Sequence, residues 1–487
     1  MAQTWRRRPG DRVVRPRRIK RFRLRRVLGV AAVFSAGYGN VGSSIYYALG
    51  IVAVVALGAT PVALGIAGVL FVFTALTYAE GTATLPEAGG SASFARHGFN
   101  DLAGFTAGWA LMLSYIVTIS ISAFTIPPYL GYFWEPFKTS PFFGTLMSIG
   151  IVTFLMTLNV IGIKETSFIN IGSAILDIFT QVSLVVIGFI IIFNPTLLLR
   201  RIVENWPSTE HLVLGIAMAS IAYTGIETIS QMAEETKQPE RQVPRALILM
   251  IITVLVIFAG ISLVSLSAMS PQELATEWAR DPVAGIAYNL PLELLRTVLK
   301  PLIAVLAGTI LLIATNAGLI GISRLAFSLG SHNLVPPVLS RVHHRFKTPH
   351  IAIITFSIAA IVILIPGFFA PNVYENMGAL YVFGSLLAFM FAHASILSLR
   401  IRKPELPRPF KLALNIRVRG KELPVSALIG FTTTAAIWVI IMATQPYSRW
   451  AGLGWMAIGF VIYYFFRRYR RSVDARAHLP QDRKPEE

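Results

Sequence analysis

The sequence of 487 residues contains no cysteine and few charged residues, and both shortages narrow its possible classes. Without cysteine, the chain has no disulfide, no thiolate metal site and no cysteine nucleophile. Asp, Glu, Lys and Arg make up only 14% of the chain, whereas soluble proteins carry roughly 25%. Hydrophobic residues make up 54% of the chain. The composition therefore indicates an integral membrane protein.

Motifs for nucleotide binding and metal chemistry are also missing. The chain has no Gly-x4-Gly-Lys-Ser/Thr sequence, so ATP is not expected to be the direct energy source. His343 and His344 lie in a basic loop without the further ligands that a metal site needs. We therefore expect no enzyme activity, no metal and no cofactor.

What the sequence does contain is a series of long apolar segments. A membrane-spanning helix needs roughly 20 mostly apolar residues. Twelve segments meet this requirement, and we number them spans 1 to 12: 27–57, 61–83, 101–130, 142–162, 168–193, 211–236, 244–269, 297–330, 349–366, 374–399, 423–443 and 450–467. We expect an all-α protein that passes through the membrane twelve times.

The distribution of Lys and Arg predicts the orientation. If the N-terminus is cytoplasmic, 36 of the 43 basic residues fall on the cytoplasmic side and 7 fall in external loops. Cytoplasmic loops of membrane proteins carry such an excess, so both termini are expected in the cytoplasm. The net charge of +19 has the same explanation, and no nucleic-acid partner is expected.

The predicted domain layout has no soluble domain. Residues 1–26 form a basic tail, which lacks the cleavage site of a signal peptide and is expected to stay in the cytoplasm near lipid. A transport core over 27–399 divides into two five-span repeats, 27–193 and 211–399. Residues 400–469 hold a loop and spans 11 and 12, and 470–487 form a second tail.

Two spans are interrupted by poor helix formers. Span 1 contains AGYGNVGSSIYYALG (36–50), and span 6 contains SIAYTGIETISQMAEE (220–235). Unwound backbone is tolerated within a membrane only where it is buried in protein or lines a polar cavity, because its N–H and C=O groups need hydrogen-bond partners. Glycine-interrupted spans at corresponding positions of two repeats are typical of a transporter's binding site. Close helix packing is the alternative explanation for the glycines of span 1.

Five segments together resemble the amino acid–polyamine–organocation (APC) superfamily of permeases over nearly the whole chain. They are the glycine-rich part of span 1 (39–44), YAEGTATLPEAGGSASFARHGF (78–99), GFTAGWALML (104–113), AYTGIETISQMAEETKQPERQVPRAL (222–247) and GISRLAFSLGSHNLVPPVL (321–339). The resemblance implies the five-plus-five inverted-repeat fold (LeuT/APC-like) with discontinuous spans 1 and 6. It also implies alternating access and secondary transport of amino acids or amines.

The resemblance further implies a set of substrate-binding residues. The substrate carboxylate would meet backbone N–H groups of Gly42, Ser43 and Ser44. Its ammonium would meet backbone carbonyls near Tyr38, Gly39 and Tyr223. The remaining pocket candidates lie on spans 3, 6, 8 and 10: Ser114, Tyr115, Gly225, Ile226, Asn316 and Tyr381.

Span 1 also resembles the proton-coupled potassium-uptake members of the same superfamily. GNVGSSIYY is similar to their Gly-Asp-x-Gly-x-Ser…Tyr motif, and Tyr47 stands at the position of the motif tyrosine. Asn40 replaces the motif aspartate, and Ser114 stands where span 3 of those relatives tends to carry an acid. Since neutral oxygens also bind dehydrated potassium, potassium uptake remains the alternative function.

Buried acidic residues are the candidates for proton coupling and gating. Asp177 stands where proton-coupled relatives often carry a lysine, and a charge at this depth costs at least ~2.5 kcal/mol. We expect Asp177 to carry a proton, or else to tie span 5 to span 1 through Ser43 or Gln181. Glu227 could bind the substrate amine, gate the pathway, carry a proton or bond the broken backbone of span 6.

The remaining polar candidates lie toward the cytoplasmic side or in packed positions. Glu80 and Glu87 are expected to act as caps or gates. Arg96 and Arg324 could pair with Glu234 or Glu235 as an inner gate, although positive-inside charge also explains them. His393 is expected to be a packed histidine.

The sequence therefore predicts a multi-pass permease of the plasma membrane for an amino acid or related amine, coupled to protons. A channel is the alternative class, and saturable countertransport would distinguish a carrier from it. The sequence gives no indication of the oligomeric state.

Overall fold

The computed structural model describes residues 26–162, 167–370, 372–418 and 420–477. Most of the predicted N-terminal tail and the last ten residues of the C-terminal tail lie outside the described residues. Helices account for nearly all of the regular structure in the described ranges. We keep the span numbers for the helices that correspond to them.

Spans 1 to 5 form the first half of the helical bundle. The helices of these spans are Val30–Val41, the 3₁₀ turn Gly42–Ser44, Ile45–Ala56, the 3₁₀ turn Leu57–Ala59, Thr60–Thr84, Asp101–Leu130, Pro141–Ile161 and Ser167–Ile191. The short connecting helices are Ser91–Gly98, Pro136–Thr139 and Pro195–Glu204. Prolines at the first helical position start several of these elements, since their missing N–H is not needed there.

Spans 6 to 12 complete the bundle. Their helices are Thr209–Ala219, Ser220–Tyr223 (3₁₀), Glu227–Gln231, Ala233–Glu235 (3₁₀), Pro239–Ala268, Glu293–Ser331, His350–Leu364, Ile365–Phe368 (3₁₀), Val373–Arg402, Val425–Thr444 and Pro446–Ala477. The connecting helices are Pro271–Thr276, Pro282–Tyr288 and the 3₁₀ turn Pro337–Ser340. An antiparallel hairpin of Asn415–Val418 and Lys421–Pro424 lies between spans 10 and 11.

Ten helical segments of the described chain are long and apolar enough to cross a membrane. One of them, Val30–Thr84, has 55 residues and contains both span 1 and span 2. These spans meet at Leu57, whose positive φ of 45° ends the first helix. The helix of span 12, Pro446–Ala477, is longer than predicted and is not one of the ten. The chain is thus a multi-pass membrane protein, and the count of twelve crossings and the inverted repeat stay predictions.

Span 3 lies at the centre of the bundle. Its most apolar 18-residue window is 94% buried, and the helix packs against spans 8 and 10. Span 2 packs against span 7, and span 10 also packs against span 11. In contrast, the corresponding window of span 4 is only 22% buried, as expected for a helix that faces lipid. This arrangement encloses the interruptions of spans 1 and 6 among other helices.

Candidate functional site

Span 6 is broken at Thr224 and Gly225, as predicted. Thr224 has an extended backbone with ψ of 156°, and Gly225 has a φ of +107°, which side chains with a Cβ rarely adopt. A Cβ on Gly225 would also stand 2.8 Å from the side-chain Cγ of Asn40. Glycine is therefore required here both by the backbone conformation and by the close approach of span 1.

Glu227 begins the second half of span 6 and is fully buried. Its Oε2 accepts a hydrogen bond from the backbone N–H of Gly225 at 3.0 Å. The expected bond to the broken backbone is therefore present. Its Oε1 is buried and finds no donor among the described residues. One oxygen of this carboxylate thus stabilises the backbone at the break, and the other is buried without a donor.

Asn40 of span 1 faces the same break. Its Nδ2 donates to Oγ1 of Thr228 at 2.9 Å, which joins span 1 to span 6. Its Oδ1 is buried and, within the described ranges, accepts no hydrogen bond. A buried acceptor without a donor costs about 1–3 kcal/mol, and two such acceptors lie at this break.

Span 1 differs from the prediction, since its backbone does not unwind. Val41, Gly42, Ser44 and Ile45 all keep right-handed helical angles, and the only irregularity is the 3₁₀ turn at 42–44. The N–H of Gly42 bonds to the carbonyl of Tyr38. One of the three N–H groups expected to meet a substrate carboxylate is therefore already bonded.

The small side chains explain how this turn tightens without a break. Oγ of Ser43 and Oγ of Ser44 both donate to the carbonyl of Asn40, at 2.9 and 3.3 Å. The two hydroxyls thus supply hydrogen bonds to the carbonyl of Asn40 where the backbone changes from an α-helix to a 3₁₀ turn. Gly42 is required because a Cβ there would stand 2.5 Å from the ring of Tyr38.

Asp177 of span 5 is buried and accepts three hydrogen bonds. Its donors are the hydroxyl of Tyr46 at 2.7 Å, the hydroxyl of Tyr38 at 3.0 Å and Nε2 of Gln181 at 2.6 Å. The expected contact with Gln181 is present. Ser43, the other expected partner, bonds instead to the carbonyl of Asn40. Asp177 is therefore tied to span 1 by tyrosines on both sides of the 3₁₀ turn.

Hydroxyl groups surround the break in span 6. Tyr115 and Tyr381 are buried, and their hydroxyls lie near threonine hydroxyls, that of Thr228 for Tyr115 and those of Thr118 and Thr224 for Tyr381. Both rings lie within electrostatic reach of Glu227. The hydroxyl of Tyr47, also a candidate, bonds to Ser44 at 3.0 Å and lies within the same reach.

Five other predicted residues are placed less directly. Ser114 lies against Gly384 of span 10, and its hydroxyl is unpartnered among the described residues. The hydroxyl of Tyr223 donates to the carbonyl of Leu64, so this side chain faces span 2.

The others are Asn316, Gly39 and Ile226. Oδ1 of Asn316 accepts from Asn159 of span 4 at 2.5 Å. Gly39 faces Ile313 of span 8, and Ile226 is fully buried at the break. The structure therefore gathers Asn40, Gly225 and Glu227 at the centre of the candidate site.

Ion pairs hold the end of the bundle that is expected in the cytoplasm. Arg324 pairs with Glu235 at 2.9 Å, as predicted. Arg96 pairs with Glu87 at 2.9 Å instead of with Glu234, whose Oε1 accepts from the N–H of Ala88. A hydrogen bond from His97 is the main reason that the pKa of Glu87 falls to about 2.

Glu80 and His393 also have structural partners. Both oxygens of Glu80 accept from Arg400, each at 2.7 Å, and Oε2 also accepts from the N–H of Leu412. His393 is buried and bonds to Thr74 and Thr77, as expected of a packed histidine.

Sequence reasoning missed Tyr46 and Thr228. Tyr46 lies eight residues after Tyr38, or slightly more than two helical turns, so the two phenols share a face of span 1. This spacing of two phenols on one face of span 1, together with the buried acid Asp177, could have predicted the contact between them. No pattern in the sequence links Thr228 to Asn40 across 188 positions.

Comparison with known proteins identifies the family of this chain. A family model described as "Amino acid permease" matches residues 28–466. The chain belongs to the amino acid permease family. It is therefore a permease of the APC superfamily and not an enzyme.

Individual relatives are distant but cover nearly the whole chain. The branched-chain amino acid permease BcaP of Bacillus subtilis (strain 168) is 24% identical over 93% of this chain and 95% of its own length. The low-affinity putrescine importer PlaP of Escherichia coli (strain K12) is 26% identical over 91% of this chain and 93% of its own. The rat large neutral amino acids transporter small subunit 2 is 25% identical over 82% and 72%, respectively.

Proposed function

We propose that this permease is a secondary active transporter that moves an amino acid or related amine by alternating access. The observation that carries the proposal is the broken span 6, where Oδ1 of Asn40 and Oε1 of Glu227 lack donors. Branched-chain amino acids and putrescine, the substrates in the names of two relatives, both carry an amine. The geometry of the break and the substrates of these relatives therefore both favour recognition of an amine at this site.

An ammonium group suits the two open acceptors. It offers three N–H donors and one positive charge, which offsets the cost of a buried carboxylate. The hydroxyls of Tyr115 and Tyr381 supply further oxygen atoms around Glu227. A substrate carboxylate, in contrast, needs the turn at 42–44 to open first, because the N–H of Gly42 is already bonded.

Protons are proposed to act through Asp177. An ionised carboxylate accepts the bonds of Tyr38, Tyr46 and Gln181 together. Protonation converts one oxygen into a donor, so at least one of these bonds must change. Because Tyr38 and Tyr46 flank the 3₁₀ turn of span 1, this change loosens the turn that faces the substrate site.

The Arg324–Glu235 pair is proposed to close the cytoplasmic side of the pathway. Because of the distribution of Lys and Arg, both termini are proposed to lie in the cytoplasm. The protein is proposed to act in the plasma membrane. Opening toward the cytoplasm then requires this ion pair to separate.

Potassium uptake is the second candidate, because the same two acceptors suit any dehydrated monovalent cation. Asn40 offers one neutral oxygen and Glu227 one charged oxygen. The similarity of span 1 to potassium-uptake members supports this alternative.

Reconstituted transport separates these functions. Proteoliposomes with an inward proton gradient are tested for uptake of leucine, putrescine and potassium, followed by counterflow. We expect saturable, proton-driven uptake of leucine or putrescine. Glu227→Gln is expected to lower it about tenfold, because the neutral amide weakens charge-assisted bonding.

Glu210→Gln is the matched control, since Glu210 is an exposed acid at the start of the same span. Potassium uptake without any response to amino acids or amines would reject the proposal in favour of the alternative. Flux that neither saturates nor shows counterflow would identify a channel.

A further inference from the structure

The hairpin between spans 10 and 11 is joined directly to a membrane helix. Its strands are Asn415–Val418 and Lys421–Pro424, and the helix of span 11 begins at the next residue, Val425. This helix has 20 residues, just enough to cross a hydrocarbon core of ~30 Å, so its first residue lies at the membrane surface. The N–H of Val425 donates to the carbonyl of Leu414 at 2.9 Å. Leu414 therefore lies level with the membrane surface.

One face of the hairpin is apolar and exposed. Alternate residues of a strand share a face, so Leu414, Ile416 and Val418 point to the same side. These residues are 68%, 44% and 46% exposed. Leu423 lies directly opposite Ile416 and belongs to the same face. The outer strand thus presents a row of aliphatic side chains that starts at the membrane surface.

The other face of the hairpin carries the ionic contacts. Glu422 and Arg417 lie opposite each other and are ion-paired at 3.3 Å. Glu422 also accepts from Nζ of Lys411 and lies 3.9 Å from the guanidinium of Arg400, in the last turn of span 10. The polar face therefore meets the bundle, and the apolar face is left uncovered by the residues that the structure describes. A hairpin in water normally has the opposite arrangement.

The loop that contains the hairpin is strongly basic. Residues 400–422 include eight Lys or Arg and only two Glu. Lys411 and Arg417 share the single carboxylate of Glu422, so these two bases keep a net positive charge. Lys421, at the tip of the apolar face, reaches past it to the carbonyl of Ile401 at 2.8 Å. Long basic side chains around an apolar surface are typical of a segment at the boundary between lipid and water, and they attract anionic headgroups.

We propose that the hairpin 415–424 rests in the interfacial layer of an anionic bilayer. Leu414, Ile416 and Val418 contact lipid, and Lys411 and Arg417 lie beside headgroup phosphates. A soluble protein partner fits less well, because the hairpin continues directly into span 11 and its apolar face starts at the membrane surface. The contact anchors the loop between spans 10 and 11 to the bilayer, and it does not depend on the proposed transport function.

Spin labels test which face meets lipid. Because the chain has no cysteine, one introduced cysteine carries one label. Leu414→Cys and Ile416→Cys place it on the apolar face, and Arg417→Cys is the matched control on the other face of the same strand. Full-length protein is measured as a single copy in nanodiscs of phosphatidylcholine and phosphatidylglycerol. We expect the ratio of collisions with oxygen, which concentrates in lipid, to collisions with a water-soluble nickel complex to be severalfold higher at 414 and 416 than at 417.

The bilayer composition tests the basic residues. With the label at Ile416→Cys, adding phosphatidylglycerol to phosphatidylcholine nanodiscs is expected to raise the collision ratio about twofold, because anionic headgroups draw the loop toward the bilayer. Lys411→Gln with Arg417→Gln is expected to abolish this rise. Arg280→Gln with Arg296→Gln removes two cations outside the loop and is the matched control, which keeps the rise.

Three results would overturn the proposal. Equal collision ratios at 414, 416 and 417 would mean that both faces of the hairpin meet the same medium. Few collisions with either reagent at 414 and 416 would mean that protein covers the apolar face. A ratio at 416 that does not respond to phosphatidylglycerol would exclude the role of the basic residues at the headgroups.

Discussion

Tyr38 and Tyr46 donate hydrogen bonds to the two oxygens of one carboxylate, that of Asp177, at 3.0 and 2.7 Å. Tyr38 precedes the 3₁₀ turn of span 1 and Tyr46 follows it. One side chain of span 5 therefore fixes the relative position of both halves of span 1. Any change in the charge of Asp177 acts directly on the turn that contains Gly42.

Asp177→Asn is expected to abolish proton-driven accumulation of substrate while sparing exchange. An amide has only one acceptor oxygen, so one of the two phenols loses its partner, at a cost of about 1–3 kcal/mol. Uptake under a proton gradient and counterflow without one measure the two activities. Asp101→Asn, at an exposed acid, is the control. Unchanged accumulation would rule out the coupling role of Asp177.

Gly225→Ala is expected to inactivate transport. The new Cβ needs a φ of +107° and stands 2.8 Å from Cγ of Asn40, so strain of about 1–3 kcal/mol falls on the break itself. Substrate uptake and the midpoint of thermal unfolding are measured together. Gly150→Ala is the matched control, because nothing lies within 4 Å of its added Cβ. Equal uptake by the two variants would contradict the requirement for glycine at 225.

Glu80→Gln is expected to destabilise the protein by about 3–5 kcal/mol, because it leaves the buried guanidinium of Arg400 with only the more distant carboxylate of Glu422, at 3.9 Å. The side chains of the pair are 1% and 3% exposed. Glu204→Gln breaks an exposed pair with Arg200 and is expected to cost at most about 1 kcal/mol. Thermal or denaturant unfolding of both variants gives the comparison. Similar losses in the two would show that burial does not govern the Glu80 pair.

Stability is expected to fall between about pH 4 and pH 6 because of Asp281. Burial raises the pKa of this carboxyl to about 6 from an ordinary value of 3.8, although Lys138 opposes the shift. The folded state therefore binds more protons than the unfolded state in this window, and stability declines as the pH rises through it. Unfolding midpoints of wild type and Asp281→Asn across this range test the effect. A difference between them that is constant with pH would exclude it.

Glu87 is expected to act in the opposite direction. Its pKa is lowered to about 2, so its contribution is present above its ordinary value of 4.5 and is lost as the pH falls toward 2. The contribution is modest, because the side chain is 38% exposed. Glu87→Gln is therefore expected to flatten the acid limb of the stability profile, measured by unfolding below pH 5. An unaltered acid limb would contradict the role of the His97 and Arg96 contacts.

Local sequence patterns predicted the long apolar helices and the break at Gly225. The length of an apolar segment must match the thickness of the membrane, so such segments are easily recognised. A glycine between two short apolar halves is a strong local signal for a broken helix. The turn of span 1 was harder to predict, because small residues such as Gly42 and Ser43 permit either unwinding or a tighter helix. The serine hydroxyls that select the second outcome act only once the helix has formed.

Most partners far apart in the chain could not be predicted. The bonds from Asn40 to Thr228 and from Arg400 to Glu80 depend on how whole spans pack. Charge alone suggested that Arg96 could reach Glu234, but Glu87 is nearer along the chain and takes that arginine. Pairing between acids and bases is decided by packing geometry, which composition does not encode.

The Glu80–Arg400 pair has a consequence for biosynthesis. Glu80 leaves the ribosome 320 residues before the arginine that neutralises it. At ~5–20 residues per second, the carboxylate waits about 15–60 s for its partner. The ion pair that joins span 2 to span 10 can therefore form only after span 10 has been made. A chain that stops short of Arg400 therefore keeps Glu80 without the two hydrogen bonds that this arginine donates.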